Sequence, residues 1–363
     1  MPHEFPGNSL TASPRVFCAG PWDLRPSHKQ ASLSSRDIGA LVREALLSFH
    51  SGNTYGCKSV LTPHSDELTS LIGDQAKPWP ESGERLNWKL STLTAVNQKH
   101  GAVKIVGSNA YNRRAGQPRS QSTLLLFDKL SMQPLCIMDG TEISAARTGA
   151  YASIAAETYR PGVDGLRVFI FGTGAVATRA IADLMAHCGE RLDRIYVKAL
   201  TDQSVTALVD AFSEAPCSVI AGCAEDLATC HLVITATNAA TPLFRSDEVA
   251  GDAIVLHLGG DETPRPLIRE TLLLGTVACD DVATVASRGS QSLALYFSRQ
   301  GLSLNEEKAR YDIANFYPHM PLPAHATTSR CLVTCVGLPA LDLQLAERIH
   351  DMCNERGRAT SPS

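Results

Sequence analysis

The chain has 363 residues, more than one ordinary hydrophobic core sustains, so two domains are expected. Its composition, 44% hydrophobic and 19% charged, is that of a globular protein, and a net charge of −4 offers no basic surface for nucleic acid. No apolar run approaches a membrane span, and the opening MPHEFPGNSLTASPRVF has no apolar signal-peptide core, so a cytoplasmic protein with no membrane association is expected.

In chain order, residues 1–30 are rich in Pro, Ser and Gly and read as an irregular arm. Ser34 and Ser35 are candidate caps for a helix over 37–50, where Ile38, Leu41, Val42, Ala45, Leu46 and Phe49 follow the helical period. Residues 51–83 read as loops with short elements. Strands are predicted at 88–95, 102–106, 122–127 and 135–138. The loop between the second and third, GSNAYNRRAGQPRS, is polar, basic and turn-rich. A helix over 143–157 crosses into the second domain.

The stretch LRVFIFGTGAVATRAIADL, 166–184, is the most informative. A short apolar run of the kind found in buried parallel strands precedes Gly172, Thr173, Gly174, Ala175, Val176 and Ala177, and an apolar helical pattern follows. Strand, glycine turn and helix start together turn a weak GxGxxA pattern into a dinucleotide site. Gly172 permits the sharp turn, Gly174 lets a pyrophosphate approach the backbone, and Ala177 keeps helix and strand close. NAD(H) or NADP(H) is the expected cofactor.

Further strands are predicted at 194–199, 218–221, 232–236, 253–258 and 276–279, with a helix at 204–212. This alternation argues for a doubly wound parallel sheet over about 166–285. Helices at 290–300 and 342–356 follow and are expected to fold back onto the first domain. The eleven cysteines form no CxxC pair and no cluster with zinc spacing, so free thiols and no metal are expected.

Several blocks resemble the ornithine cyclodeaminase/μ-crystallin family of NAD(P)-dependent amino-acid oxidoreductases. They are Val103-Lys104-Ile105, Gly116-Gln117-Pro118, the run from Asp139 to Thr148 containing Arg147, Gly172 to Ala177, and Thr235-Ala236-Thr237-Asn238. Gly259-Gly260-Asp261 and the tail from Gly337 to Leu343 complete the series. The resemblance implies an α/β fold: a Rossmann domain over 143–309, and a discontinuous substrate-binding and dimerisation domain from 1–142 with 310–363. It further implies a homodimer and a small amino-acid-type substrate.

By the same resemblance, Lys104 and Arg147 hold the substrate carboxylate, and Asp261 manages protons at the reacting nitrogen or its imine. Thr235, Thr237, Asn238 and Gly259 lie beside the nicotinamide. A further carboxylate-binding cation is expected upstream, at Arg85 or Lys89. The loop carrying Arg119 is similar to the N-(2-amino-2-carboxyethyl)-L-glutamate dehydrogenases of diaminopropionate biosynthesis, whose substrate has three carboxylates. Gly259-Gly260-Asp261 looks more like the cyclodeaminases. NAD-binding proteins carry an acid at the end of the second strand. Ala199 stands there, so a 2′-phosphate beside Lys198 or Thr201 stays open.

Overall fold

The computed structural model describes residues 18–19, 33–76, 83 and 85–359. The expected N-terminal arm lies outside the described residues, Cys18 and Ala19 excepted. Two sheets organise the chain. The first contains β1 (Cys18–Ala19), β2 (Tyr55–Leu61), β3 (Trp88–Val96), β4 (His100–Asn109), β5 (Ser120–Asp128) and β6 (Pro134–Asp139), in the order 1-6-5-4-3-2. Strands β2 to β6 form an antiparallel meander, and β1 pairs parallel to β6.

Alternation along these strands sends Leu93, Ala95, Ala102, Lys104, Leu124, Leu126 and Met138 into the protein and leaves Leu61, Leu90 and Ile105 exposed. The helix Pro339–Ala359 lies across β2 to β5 and against the helix Ser35–His50. The latter begins as expected, with Ser34 and Asp37 completing a capping box. Strand β2 replaces part of the loop expected at 51–83. Six of its seven residues are exposed, so it carries no alternating apolar signal.

The helix expected over 143–157 is two helices, Thr141–Gly149 and Tyr151–Tyr159, meeting at Ala150. Just before the junction Gly149 touches the helix Ala175–Cys188: a Cβ there would lie 2.6 Å from the backbone nitrogen of Ala180.

The second sheet is parallel throughout. Its strands are β7 (Leu166–Phe171), β8 (Leu192–Lys198), β9 (Ser218–Ala221), β10 (Leu232–Thr235), β11 (Ile254–His257), β12 (Thr276–Cys279), β13 (Ala314–Asn315) and β14 (Cys331–Thr334). The order is 13-12-14-11-10-7-8-9. Strand order reverses at β7, between β8 and β10, which opens a crevice at the carboxyl ends of the strands. Strands β13 and β14 lie beyond residue 309, where the nucleotide domain was expected to end, so this sheet takes strands from the C-terminal part of the chain. Every residue of β10, β11, β12 and β14 is buried, as a strand covered on both faces requires.

The cysteines described are free; Cys57 and Cys223 are exposed, and most others are buried. Among the described residues no helix is long and apolar enough to cross a membrane, and no group of three or more His, Cys, Asp or Glu is placed to hold a metal ion.

Candidate active site

The glycine loop continues β7. Gly172 has φ +113°, and a Cβ on it would lie 2.5 Å from the carbonyl oxygen of Ala236, so conformation and space both demand glycine. Gly174 caps the helix Ala175–Cys188 without any side-chain cap, and a Cβ there would meet nothing within 4 Å. The first-turn N–H groups of a fourteen-residue helix therefore face open space at the switch point. Gly174 and Ala175 are exposed, Thr173 and Val176 half-buried, and Ala177 fully buried. This cradle fits a pyrophosphate: backbone donors and the helix dipole would hold it over Gly172, Thr173, Gly174, Ala175 and Val176.

At the end of β8, Lys198 is exposed and Ala199 half-buried. Thr201 is turned to another task. Its hydroxyl accepts from Ser204 N at the start of the helix Asp202–Ala211.

The next two loops are tied together. Thr235 is the last residue of β10 and is fully buried. Thr237 Oγ1 donates to Glu262 Oε1 at 2.8 Å and accepts from Ala239 N at 3.0 Å. The Glu262 carboxylate, fully buried, lies against Gly259 where a side chain would have to sit. Asp261, by contrast, is half-buried and pairs with Arg299 at 2.5 Å. Asn238 turns toward the first domain: its Nδ2 donates to the Arg85 carbonyl at 2.7 Å, and its Oδ1 accepts from Arg119 at 3.0 Å.

Lys104 and Arg147 do come together, around a third residue. Lys104 Nζ donates to Asp342 Oδ1 at 2.5 Å and to Ser144 Oγ at 2.8 Å, and Arg147 Nε lies 3.3 Å from the same Asp342 oxygen. All three are buried, so neither cation is the surface residue that a lone lysine or arginine usually is. Burial works against the Asp342 carboxylate, but Lys104, Arg147 and Lys58 outweigh it and hold its pKa below the usual range. Burial pushes Lys104 down to about 8, with Asp342 opposing and Arg147 adding to the fall. The Arg147 guanidinium rests on Gly337, where a Cβ would collide with it.

Around this pair stand residues that the sequence reading missed. Lys58 of β2 donates to the Val336 carbonyl at 2.7 Å, and Arg288 to the same oxygen at 3.2 Å. Burial, then Arg288, Arg147 and Lys104, depress Lys58 well below its ordinary value. The buried Asp280 accepts from Tyr151 Oη and from the N–H groups of Val336 and Gly337. Lys89 of β3 is a further recessed cation near Arg288. Burial and the neighbouring Arg288, Arg119 and Arg85 lower its pKa to about 8. Arg85 packs its guanidinium on Gly260, and its Nε is buried without a hydrogen-bond partner. Of the missed groups only Asp342 left a sequence signal: an acid among the closely spaced leucines Leu341, Leu343 and Leu345, all of which are buried.

Known proteins support the same outline. The model of the ornithine cyclodeaminase/mu-crystallin family matches residues 84–315. A Delta(1)-pyrroline-2-carboxylate reductase of Bacillus cereus (strain ZK / E33L) is 23% identical over 171 residues, 46% of this chain and 50% of that protein. An uncharacterized cyclodeaminase of Dictyostelium discoideum is 24% identical over 210 residues, covering 51% of this chain and 56% of its own length. The chain thus spans about half the length of these relatives. In structure it is similar to Delta(1)-pyrroline-2-carboxylate reductase of Thermococcus litoralis in complex with NADH and L-proline. There the TM-score is 0.71 at 17% identity, over 90% of this chain and 95% of that one. It is also similar to an archaeal alanine dehydrogenase dimer with bound NAD, at a TM-score of 0.68 and 17% identity over 90% and 93% of the two chains. With the family model covering well over half of its length, this chain belongs to the ornithine cyclodeaminase/mu-crystallin family.

Proposed function

We propose that this protein is an NAD(P)(H)-dependent oxidoreductase acting on the C–N bond of an amino acid. One observation carries the reading: the glycine-loop cradle and a cluster of buried cations belong to one molecule of the ornithine cyclodeaminase/mu-crystallin family. Lys58, Lys104, Arg147 and Arg288 surround Asp280 and Asp342, and Lys89 sits beside Arg85, Arg119 and Arg288. That positive excess favours an anionic substrate with more than one acid group. Arg147 and Lys104 orient the α-carboxylate, and Arg85, Lys89 and Arg119 receive a second acid.

The nicotinamide, when bound, supplies the hydride acceptor at the substrate Cα. The residues of the chain hold the amino acid by its carboxylates and manage protons at its nitrogen, a role assigned to Asp261. Water then captures the substrate imine and releases a keto acid and a free amine. A tricarboxylate amine such as N-(2-amino-2-carboxyethyl)-L-glutamate fits this charge pattern and would give 2,3-diaminopropionate and 2-oxoglutarate. A second reading, a redox-neutral ornithine or lysine cyclodeaminase, is favoured by the Gly259-Gly260-Asp261 loop and by the cyclodeaminase relative. A third, a μ-crystallin-like ketimine reductase or ligand-binding protein, shares the cradle but has no use for Asp261. The exposed Leu61, Leu90 and Ile105 on the open face of the first sheet support a homodimer joined there.

The test is incubation with NAD or NADP and a panel of amino acids and glutamate conjugates. Absorbance at the reduced-nicotinamide band, ammonia and product mass are read together. One reduced nucleotide per amine released supports the oxidoreductase. Ammonia without net reduction supports the cyclodeaminase, and nucleotide binding without turnover supports the ligand-binding reading. In whichever enzyme is found, Asp261→Asn should lower kcat about 10²–10⁴-fold, with partial recovery at high pH and nucleotide binding intact. Near wild-type turnover would return Asp261 to its surface pair with Arg299.

A further inference from the structure

The loop after β10 is bonded to the first domain through Asn238 and Ala240. Asn238 is buried, 5% exposed, and uses both ends of its amide across the cleft. Its Nδ2 donates to the Arg85 carbonyl at 2.7 Å, while its Oδ1 accepts from Arg119 at 3.0 Å. Its own carbonyl accepts from Arg85 N at 3.1 Å, and Ala240 N donates to the Gly83 carbonyl at 2.9 Å. The short segment leading into β3 is thereby bonded to the Rossmann loop by side chain and backbone. The same Arg119 nitrogen reaches Asn87 Oδ1 at 3.1 Å, and Ala110 N donates to the Asn87 carbonyl, also at 3.1 Å.

On its other side this loop touches the glycine cradle. Ala236 N donates to the Phe171 carbonyl at 2.9 Å, and the Ala236 carbonyl occupies the place a Gly172 side chain would need. Thr237 is bolted to Glu262 at 2.8 Å. Five consecutive residues therefore run from the phosphate cradle to the substrate-side cations with no gap in hydrogen bonding. The chemistry of the linking side chain is narrow. One atom must donate to a carbonyl while another accepts from a guanidinium, which an amide does and a carboxylate or an apolar side chain does not.

We propose that Asn238 is a positioning residue that makes nucleotide binding at the glycine loop set Arg85 and Arg119 in place for the substrate. This inference rests on the nucleotide-dependent reading given above. A nucleotide seated on the cradle holds residues 236–240 against the end of β7, and Asn238 passes that order to residues 85–87 and to the start of β5. The cations then meet the second acid group of the substrate only in the nucleotide-loaded protein, which gives ordered binding with the nucleotide first.

Hydrogen exchange of the whole chain, with and without NADH or NADPH, tests the coupling, alongside fluorescence titration of each nucleotide. In the wild type the bound nucleotide should slow exchange in peptides spanning 85–88 and 108–112 by at least about fivefold, the lower end of typical coupling. In Asn238→Ala, at saturating nucleotide, that protection should vanish. Should this variant fail to fold, Arg119→Met removes the opposite partner and is read in the same way at 108–112. Nucleotide binding without protection in the wild type overturns the coupling alone, as does undiminished protection in the variants. Absence of binding by either nucleotide overturns the functional reading, and the coupling with it.

Discussion

Lys104 and Lys89 are both lysines of the first sheet with a pKa lowered to about 8, yet they are held in opposite ways. Lys104 is sealed inside the protein with its ammonium on Asp342, and Arg147 shares that carboxylate. Lys89 is only half-buried, and the charges that hold it down are arginines: Arg288, Arg119 and Arg85. A buried cation with a carboxylate partner is a fixed part of the structure, because separating the pair leaves an uncompensated charge. A recessed cation among cations is held at a cost that an arriving anion relieves. On the proposed function the Asp342 group is therefore the frame of the anion site, and the Lys89 group is the part that ligand completes.

Three substitutions sharpen or break this contrast, and the largest effect falls on the frame. Asp342→Asn leaves Lys104 and Arg147 buried without their counter-charge, and urea unfolding should show a loss of about 3–5 kcal/mol. A loss below about 1 kcal/mol, the size of an exposed pair, would mean that the cluster is solvated in solution.

Arg147→Ala should follow, because it removes one partner of Asp342 and, on the proposed function, a charge-assisted contact to the substrate carboxylate. A cost of about 2–5 kcal/mol is expected, read as a fall of tenfold or more in kcat/KM with nucleotide affinity nearly unchanged. Lost stability with intact kinetics would assign Arg147 wholly to the frame.

The smallest effect is expected at Lys89. Lys89→Met should lower kcat/KM by about tenfold, roughly 1.4 kcal/mol, and should not destabilise the fold. The sign of the pH dependence follows from its lowered pKa. The folded protein binds fewer protons here than the unfolded chain between about pH 8 and the ordinary lysine value, so this residue penalises stability below pH 8 and the penalty fades as pH rises. The melting temperature of Lys89→Met should therefore exceed that of the wild type at pH 7, with the difference shrinking as pH rises through 8 and disappearing above the ordinary lysine value of 10.5. Wild-type affinity for the anionic substrate should fall as pH passes through 8, and the variant should lack that fall. Equal melting temperatures at both pH values, with unchanged kinetics, would remove Lys89 from the site.

The two halves of the site differ in how far the sequence discloses them. The glycine loop is a local object: strand, turn and helix start lie within twenty residues, and Gly172 and Gly174 are demanded by backbone geometry that any sequence must satisfy in the same way. The strands 166–171 and 276–279 were legible to the residue because buried parallel strands are continuous apolar runs. The cation cluster is assembled from β2, β3, β4, two helices and the C-terminal tail. Only long-range packing decides that Lys58, Arg288 and Asp280 meet around Val336, and Lys58 sits in an edge strand with no buried residue to betray it.

Asp342 shows the intermediate case. Its block was recognisable, but its role as counter-ion to Lys104 appears only when β4 and the helix Pro339–Ala359 are packed together. Placement of Thr235 and Thr201 was likewise a tertiary matter. One side chain is enclosed in the sheet, and the other caps the next helix.

The central claim is that the loop from Gly172 to Ala177 carries a nicotinamide nucleotide, and titration calorimetry of the wild type and Gly174→Val with NADH and NADPH tests it most directly. The space beyond Gly174 is open in the protein, so valine should be accommodated without loss of fold while its branched side chain occupies the position of the pyrophosphate. The expected result is saturable binding of at least one nucleotide by the wild type and no measurable binding by the folded variant. Undiminished affinity in Gly174→Val, or no binding of either nucleotide by the wild type, would contradict it.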